Sequence, residues 1–250
     1  MTYPNASKEQ IKQFNESGFI VIQNAIDPND LNYLESICDK IINDPEGNNA
    51  RDWAWDEGSL DERKFLIIQR SRLSDIWPEI MTAPWRVWAT EFASSLMGAE
   101  VEFTYDQFLA KPPRKGALTP WHQDEAYWGQ NYPDAGITCW MPFHNVTIKN
   151  GCMEFIQAGH LDGIHPHRRV NKSDSITCDV DEDRIVTCPM DLSSVSFHHS
   201  KTPHRSHGNF SGKWRKALTQ HFLLKSLIMK SFEDDGSYPW KVIEKQGTRL

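Results

Sequence analysis

Helical periodicity in this chain is confined to the first hundred residues and two-residue alternation to those that follow. That partition restricts the architectures open to the chain more than any single motif. Residues 8–17 place Ile11 and Phe14 at helical spacing after Ser7, a cap, and before Gly18, a stop. FIVIQ at 19–23 reads as a short apolar strand. Asp27-Pro28 opens a second helix to about Ile42, with Leu31, Leu34, Ile37, Cys38 and Ile41 on one stripe. A third runs from Ala83 to Gly98, with Pro84 at its start and a glycine at its end. Between them, 63–70 is a strand candidate, and 43–62, acidic and aperiodic, reads as a long surface loop.

From Glu100 onward the pattern is one of short strands and turns. VEFTYDQFLAK at 101–111 alternates so that Tyr105, Gln107, Leu109 and Lys111 share a face. Further strands are expected at 136–146, 152–158, 193–199 and 215–225, with a turn at Lys149-Asn150-Gly151 and an irregular polar stretch at 160–183. Helices do not alternate with these strands, which disfavours a parallel βαβ sheet. A mainly β fold results, a β-sandwich or jelly roll with helices packed outside. One domain over 1–250 is expected: a helical part at 1–98, a β core at 100–225 and a tail at 226–250.

Charge and composition narrow the partners. Lys plus Arg number 27 against 34 Asp plus Glu, a formal net charge of -7. A nucleic-acid groove needs a concentrated basic surface, so a small molecule is the expected partner. The five cysteines are odd in number and form no CxxC pair, so they read as buried reduced thiols rather than a disulfide framework or zinc ribbon. There is no internal repeat, no apolar run of about 18 residues of the kind a membrane span requires, and GTRL is no SKL address. A soluble cytoplasmic protein is the expectation.

The chemistry starts at TPWHQDE, 119–125, where His122 and Asp124 stand two apart. In an extended or slightly bulged segment both side chains project the same way and can share one ion. Oxygen chemistry at a first-row metal needs few protein ligands, and two imidazoles with one carboxylate leave three positions open. The distal segment 198–222 offers His198, His199, His204, His207 and His221. GNFSG at 208–212 looks like a turn between antiparallel strands, and pairing about its centre puts His204 opposite Arg215. A guanidinium beside a metal suits the far carboxylate of a dicarboxylic cosubstrate, and Ser206 would point the same way.

These residues resemble a known family. PWHQDEAYW, the distal PHRSHGN and the Arg215-Lys216-Ala217 segment are similar to the phytanoyl-CoA dioxygenase family of Fe(II)- and 2-oxoglutarate-dependent oxygenases. The likeness extends through GITCWMPFHNVTIKNGCMEFIQAGH and back to NESGFIVIQNAIDPNDL, so it spans roughly 8–225. It implies a double-stranded β-helix, the cupin-like jelly roll, with iron bound by His122, Asp124 and His204. It further implies that Arg215 and Ser206 hold the C5 carboxylate of 2-oxoglutarate and that Trp140 lines that pocket. Gln107 and Lys111 are further cosubstrate candidates from the strand face. Dioxygen is the co-reactant, succinate and carbon dioxide are released, and an unactivated C–H bond of a small molecule is hydroxylated. Relatives that halogenate lack the carboxylate, so Asp124 argues for hydroxylation or another oxygen-derived oxidation instead. Gln157 departs from the family, which often has proline there.

Tyr127 and Trp128 are expected at the pocket mouth and 43–62 and 126–135 as a lid; His165, His167, Arg168 and Arg169 read first as a polar connecting loop, with a site for an anionic substrate tail as the alternative. Two rival functions remain at this point. A zinc hydrolase would use Glu125 or another acid as base but leaves Arg215 without a task. A noncatalytic β-helix binding protein would release no succinate.

Overall fold

The computed structural model describes residues 3–43, 53–56, 65–114, 118–128, 136–170 and 175–235. Three helices are built as the periodicity predicts: α1 (Lys8–Ser17), α2 (Pro28–Asn43) and, after a single-turn α3 (Leu73–Ile76), α4 (Pro84–Met97). Two short helices follow later, α5 (Asp124–Trp128) and α6 (Lys225–Asp235). Ser7 caps α1 by accepting from the Gln10 amide, while the Gln10 side chain accepts from the Ser7 amide. Gly18 ends it at φ 82°, where a Cβ would also fall 2.4 Å from the His160 ring.

Two antiparallel sheets form the body. The larger runs β1 (Phe19–Ile22), β11 (Val195–His199), β6 (Gly136–Pro142), β13 (Arg215–Leu224), β4 (Val101–Lys111), β3 (Phe65–Ser71) and β2 (Trp53–Asp56). The smaller runs β10 (Ile185–Cys188), β7 (Met153–Ile156), β12 (His204–Ser206) and β5 (Thr119–His122). A small hairpin of β8 (His167–Arg169) and β9 (Ile176–Cys178) lies apart. This is the jelly roll expected, with helices against the outer face of the larger sheet.

Alternation decides what each face does. On β4, Phe108 and Ala110 join Leu218 of β13, Cys139 of β6 and Phe197 of β11 under the apolar stripes of the helices, including Leu34, Trp85 and Phe92. Each of the leucine and phenylalanine side chains among them, once fully buried, contributes roughly 1.5–3 kcal/mol. The opposite parity, Tyr105, Gln107, Leu109 and Lys111, turns inward to a cavity between the sheets, as the alternation predicts. A buried ion pair, Arg86 of α4 with Asp106 of β4, pins helix to sheet. Removing either partner would strand a charge and cost about 3–5 kcal/mol.

Several expectations need correction. Residues 203–216 are not a continuous hairpin: β12 pairs with β5 and β7, whereas β13 pairs with β4 and β6, so His204 and Arg215 sit on different sheets. The 43–62 stretch is not all loop, since Trp53–Asp56 adds an edge strand to β3. The 160–183 stretch contains the β8/β9 hairpin, and the tail begins as a helix. The strands expected at 136–146, 152–158 and 193–199 are shorter, at Gly136–Pro142, Met153–Ile156 and Val195–His199. The five cysteines are buried free thiols. Among the described residues no helix is long and apolar enough to cross a membrane.

Candidate active site

The register of the smaller sheet assembles the site. His204 of β12 lies directly opposite His122 of β5, so two residues 82 positions apart become cross-strand neighbours with ring centres 4.2 Å apart. Asp124 arrives differently from the expected strand alternation. The chain leaves β5 at His122 and enters α5 at Asp124, so a bend rather than continued strand aims the carboxylate back. Gln123 anchors that bend. It is fully buried, its Nε2 donates to the Gly163 and Lys201 carbonyls at 2.7 and 2.6 Å, and its Oε1 accepts from the His165 amide at 2.8 Å.

The donor atoms of His122, Asp124 and His204 all lie within 4.8 Å of one another. Asp124 Oδ1 is 3.8 Å from His122 Nε2 and 3.6 Å from His204 Nε2. Both rings are oriented by the same device. His122 Nδ1 bonds the Pro120 carbonyl at 2.8 Å and His204 Nδ1 the Thr202 carbonyl at 2.9 Å. A carbonyl can only accept, so Nδ1 carries the proton and Nε2 presents its lone pair to the centre. Burial lowers the pKa of His122, and burial, then His122 and His198, lowers that of His204 further. Burial alone would raise that of Asp124, but His204, His198 and His221 hold it well below the usual carboxylate range. Neutral imidazoles beside an ionised carboxylate are what a divalent cation requires, and the residues fit one.

Three residues around Asp124 carry roles the sequence reading did not assign. The Thr138 hydroxyl donates to Asp124 Oδ2 at 2.6 Å, and His198 Nε2 lies 3.2 Å from the same oxygen. His221 Nδ1 lies 3.1 Å from Thr138 Oγ1, which has already given its only proton to Asp124, so His221 donates there. Oδ2 is thus held by the protein and Oδ1 is left for the centre.

Lys111 and Arg215 are register partners on neighbouring strands, both lining the cavity and both buried. Two cations directly opposite on one face repel. Lys111 Nζ donates to Ser206 O, Ser206 Oγ and His207 O, each at 2.8 Å. Arg215 has one long hydrogen bond, Nη2 to Ser206 Oγ at 3.5 Å, while its Nε and Nη1 are buried without a partner among the described residues. Burial pulls its pKa down to about 10, and burial, then Arg215, pulls that of Lys111 well below 10.5. No carboxylate among the described residues bonds either cation. Trp140 walls this end, with the Arg215 guanidinium carbon 5.6 Å from its ring centre, and Gln107 lines the cavity with its Nε2 3.3 Å from Ser71 Oγ.

The remaining expectations divide. Tyr127 and Trp128 line the cavity of about 450 Å³; Tyr127 is 38 % exposed, and Trp128 is buried with its indole N–H 3.2 Å from the Tyr105 hydroxyl. His165, His167, Arg168 and Arg169 do not line the cavity. Arg168 instead pairs with Asp179 at 2.8 Å on the outlying hairpin, and His167 accepts from the Gln123 amide at 3.2 Å. Glu125, the base of a hydrolase reading, is turned away to accept from Ser200 Oγ at 2.6 Å. Gln157, where relatives often have proline, uses an amide that proline lacks, donating to the Arg184 carbonyl at 2.9 Å. Of the lid segments, 44–52, 57–62 and 129–135 lie outside the described residues.

A jelly roll with a His-Asp-His cluster able to hold a metal ion, and a buried guanidinium that no carboxylate among the described residues neutralises, fits an Fe(II)- and 2-oxoglutarate-dependent oxygenase, and the comparisons agree. The chain belongs to the phytanoyl-CoA dioxygenase family, whose model, Phytanoyl-CoA dioxygenase (PhyH), matches residues 14–217. It is 24 % identical over 236 residues to the peroxisomal phytanoyl-CoA dioxygenase of Homo sapiens, covering 86 % of this chain and 67 % of that one. A probable phytanoyl-CoA dioxygenase of Caenorhabditis elegans is 25 % identical over 236 residues, with 86 % and 75 % covered. In structure it is similar to EvdO2 from Micromonospora carbonacea var. aurantiaca complexed with 2-oxoglutarate, with a TM-score of 0.73 at 24 % identity over 89 % of this chain and 93 % of that one. That likeness speaks to the fold.

Proposed function

We propose that the protein hydroxylates an unactivated C–H bond of a small molecule, with His122, Asp124 and His204 as the iron ligands and Arg215 as the anchor of 2-oxoglutarate. Iron with 2-oxoglutarate supplies oxidative decarboxylation by dioxygen, yielding succinate, carbon dioxide and the oxidising power for the C–H bond. The observation that carries the assignment is the three-donor cluster, within 4.8 Å, in one cavity with an Arg215 whose Nε and Nη1 are buried and unpaired among the described residues.

The chain's own groups then have distinct tasks. His122 and His204 offer Nε2 because backbone carbonyls fix their other nitrogens. Asp124 offers Oδ1 because Thr138 and His198 occupy Oδ2. Arg215 receives the far carboxylate of the cosubstrate in a bidentate fork, with Ser206 as a second donor and Lys111 adding charge and holding Ser206 in place. Trp140 closes the side of that pocket, and Gln107 is the next polar group along the strand. Arg215, Ser206 and Lys111 would thereby orient the cosubstrate relative to the ligand cluster. Tyr127 and Trp128, at the other part of the cavity, are placed to contact the substrate and keep water away.

The test is succinate formation from 2-oxoglutarate in the presence of Fe(II) and ascorbate. It should require added iron and vanish in Asp124→Ala; full turnover in that variant would refute the ligand assignment.

A further inference from the structure

Asp124 rests on a single transverse row of the larger sheet. Tyr105 of β4, His221 of β13, Thr138 of β6 and His198 of β11 are successive register partners on four neighbouring strands, so all four side chains emerge on the inner face and line the cavity. The Tyr105 ring stacks on His221, with centres 4.3 Å apart and planes within 14°. Trp128 stands one turn along α5 from Asp124, on the same side of that helix, and docks on the other end of the row. Its indole N–H donates to the Tyr105 hydroxyl at 3.2 Å, and its ring lies edge-on to His221 at 5.8 Å.

The row decides where one proton goes. Thr138 has a single hydroxyl hydrogen, and its oxygen lies 2.6 Å from Asp124 Oδ2 and 3.1 Å from His221 Nδ1. With the imidazole proton on Nδ1, the hydroxyl accepts from His221 and gives its own hydrogen to Asp124. With that proton on Nε2, the Nδ1 lone pair would compete with Asp124 for the same hydrogen. His221 Nε2 is buried without a partner among the described residues, so a proton there would be stranded and Nδ1 keeps it. His198 takes the opposite form, because its Nε2 faces the Asp124 carboxylate and donates to it. Tyr105 and Trp128 hold the plane of the His221 ring, and that plane sets where Nδ1 points.

Resting on the assignment of Asp124 as a metal ligand, we infer that His221 is a positioning residue acting through Thr138, and that Tyr105 and Trp128 position His221 in turn, so that a substrate pressed against Trp128 bears on the carboxylate that holds the metal. The first arm of the test needs no metal. In the full chain, long-range proton–nitrogen correlation spectra should show His221, identified by the signals lost in His221→Asn, as the Nδ1–H form and His198 as the Nε2–H form. In the second arm, competition titration with Co(II), His221→Leu should weaken metal binding about three- to tenfold, and His221→Asn, which keeps a donor near the Nδ1 position, should recover most of the loss. Trp128→Phe and Tyr105→Phe remove the two ends of one hydrogen bond and keep an aromatic ring. Each should weaken Co(II) binding about two- to fivefold and shift the ligand-field absorption of the bound ion, and the double variant should lose no more than either alone. Far-ultraviolet circular dichroism confirms that each variant is folded. An Nε2–H form at His221, no recovery in His221→Asn, losses that add in the double variant, or wild-type affinity and spectrum in Trp128→Phe and Tyr105→Phe overturns the inference. Co(II) binding that survives intact in Asp124→Ala would instead remove the ligand assignment beneath it.

Discussion

Replacing Thr138 with valine keeps the side chain's shape and removes one hydroxyl, which isolates the contact that commits the Asp124 carboxylate. That hydroxyl donates to Oδ2 at 2.6 Å between two buried side chains, a length typical of a charge-assisted O–H···O⁻ bond. A bond to a charged group is worth roughly 1.5–3 kcal/mol, equivalent to about 10- to 150-fold in an equilibrium constant. His198 stays 3.2 Å from the same oxygen and keeps part of the orientation, so the lower part of that range is expected. We therefore expect Thr138→Val to weaken divalent metal binding by about 10- to 30-fold, as supporting partners of metal ligands commonly do. Thr138→Ser, which keeps the donor, should recover most of the loss. The assay is competition for Co(II) against a chromophoric chelator, with far-ultraviolet circular dichroism as a check on folding. Metal affinity within twofold of wild type in a folded Thr138→Val protein would refute the role given to this hydroxyl.

Further expectations follow from the same geometry. Arg215→Met should raise the Kd for 2-oxoglutarate by about 30- to 1000-fold, the penalty for removing one partner of a buried charge pair, while Co(II) affinity changes little; calorimetric titration of both ligands checks it. Lys111, depressed by burial and by Arg215, attracts a dicarboxylate only when protonated. Affinity for 2-oxoglutarate should therefore be full below its lowered pKa and fall as pH rises through it, short of the ordinary lysine value, with protons taken up on binding. Titrations in buffers of different ionisation enthalpy should show that uptake and its loss in Lys111→Met; equal uptake in both proteins would contradict it. Gln123→Leu leaves two carbonyls and an amide without their partner and should cost roughly 2–4 kcal/mol, lowering Tm by roughly 5–15 °C in thermal unfolding.

Much of the site was legible because β-strands have a period of two. Once Arg215 is placed on the inner face of its strand, Ala217, Thr219 and His221 share that parity, and Tyr105 through Lys111 do the same on β4. By that logic Thr138 was recoverable too, two residues before Trp140 on β6, and His198 shares a face with Ser196. They were missed because supporting groups carry no motif of their own. The pairing of His204 with Arg215 reached the right neighbourhood by the wrong route. A glycine-rich segment between two strands looks locally like a hairpin turn, but the jelly roll sends its strands to opposite sheets, a decision made by long-range pairing with β5 and β4. Likewise, the bend that aims Asp124 depends on Gln123 meeting Gly163, Lys201 and His165, contacts 40 to 78 residues distant that local sequence does not encode.

The most direct test is anaerobic optical titration of the iron-loaded protein with 2-oxoglutarate. Chelation of the cosubstrate at the proposed centre predicts a visible metal-to-ligand charge-transfer band that saturates at one equivalent, disappears in His204→Ala and requires far more 2-oxoglutarate in Arg215→Met. A folded wild-type protein that binds Fe(II) yet develops no such band, or develops it equally in His204→Ala, would contradict the account.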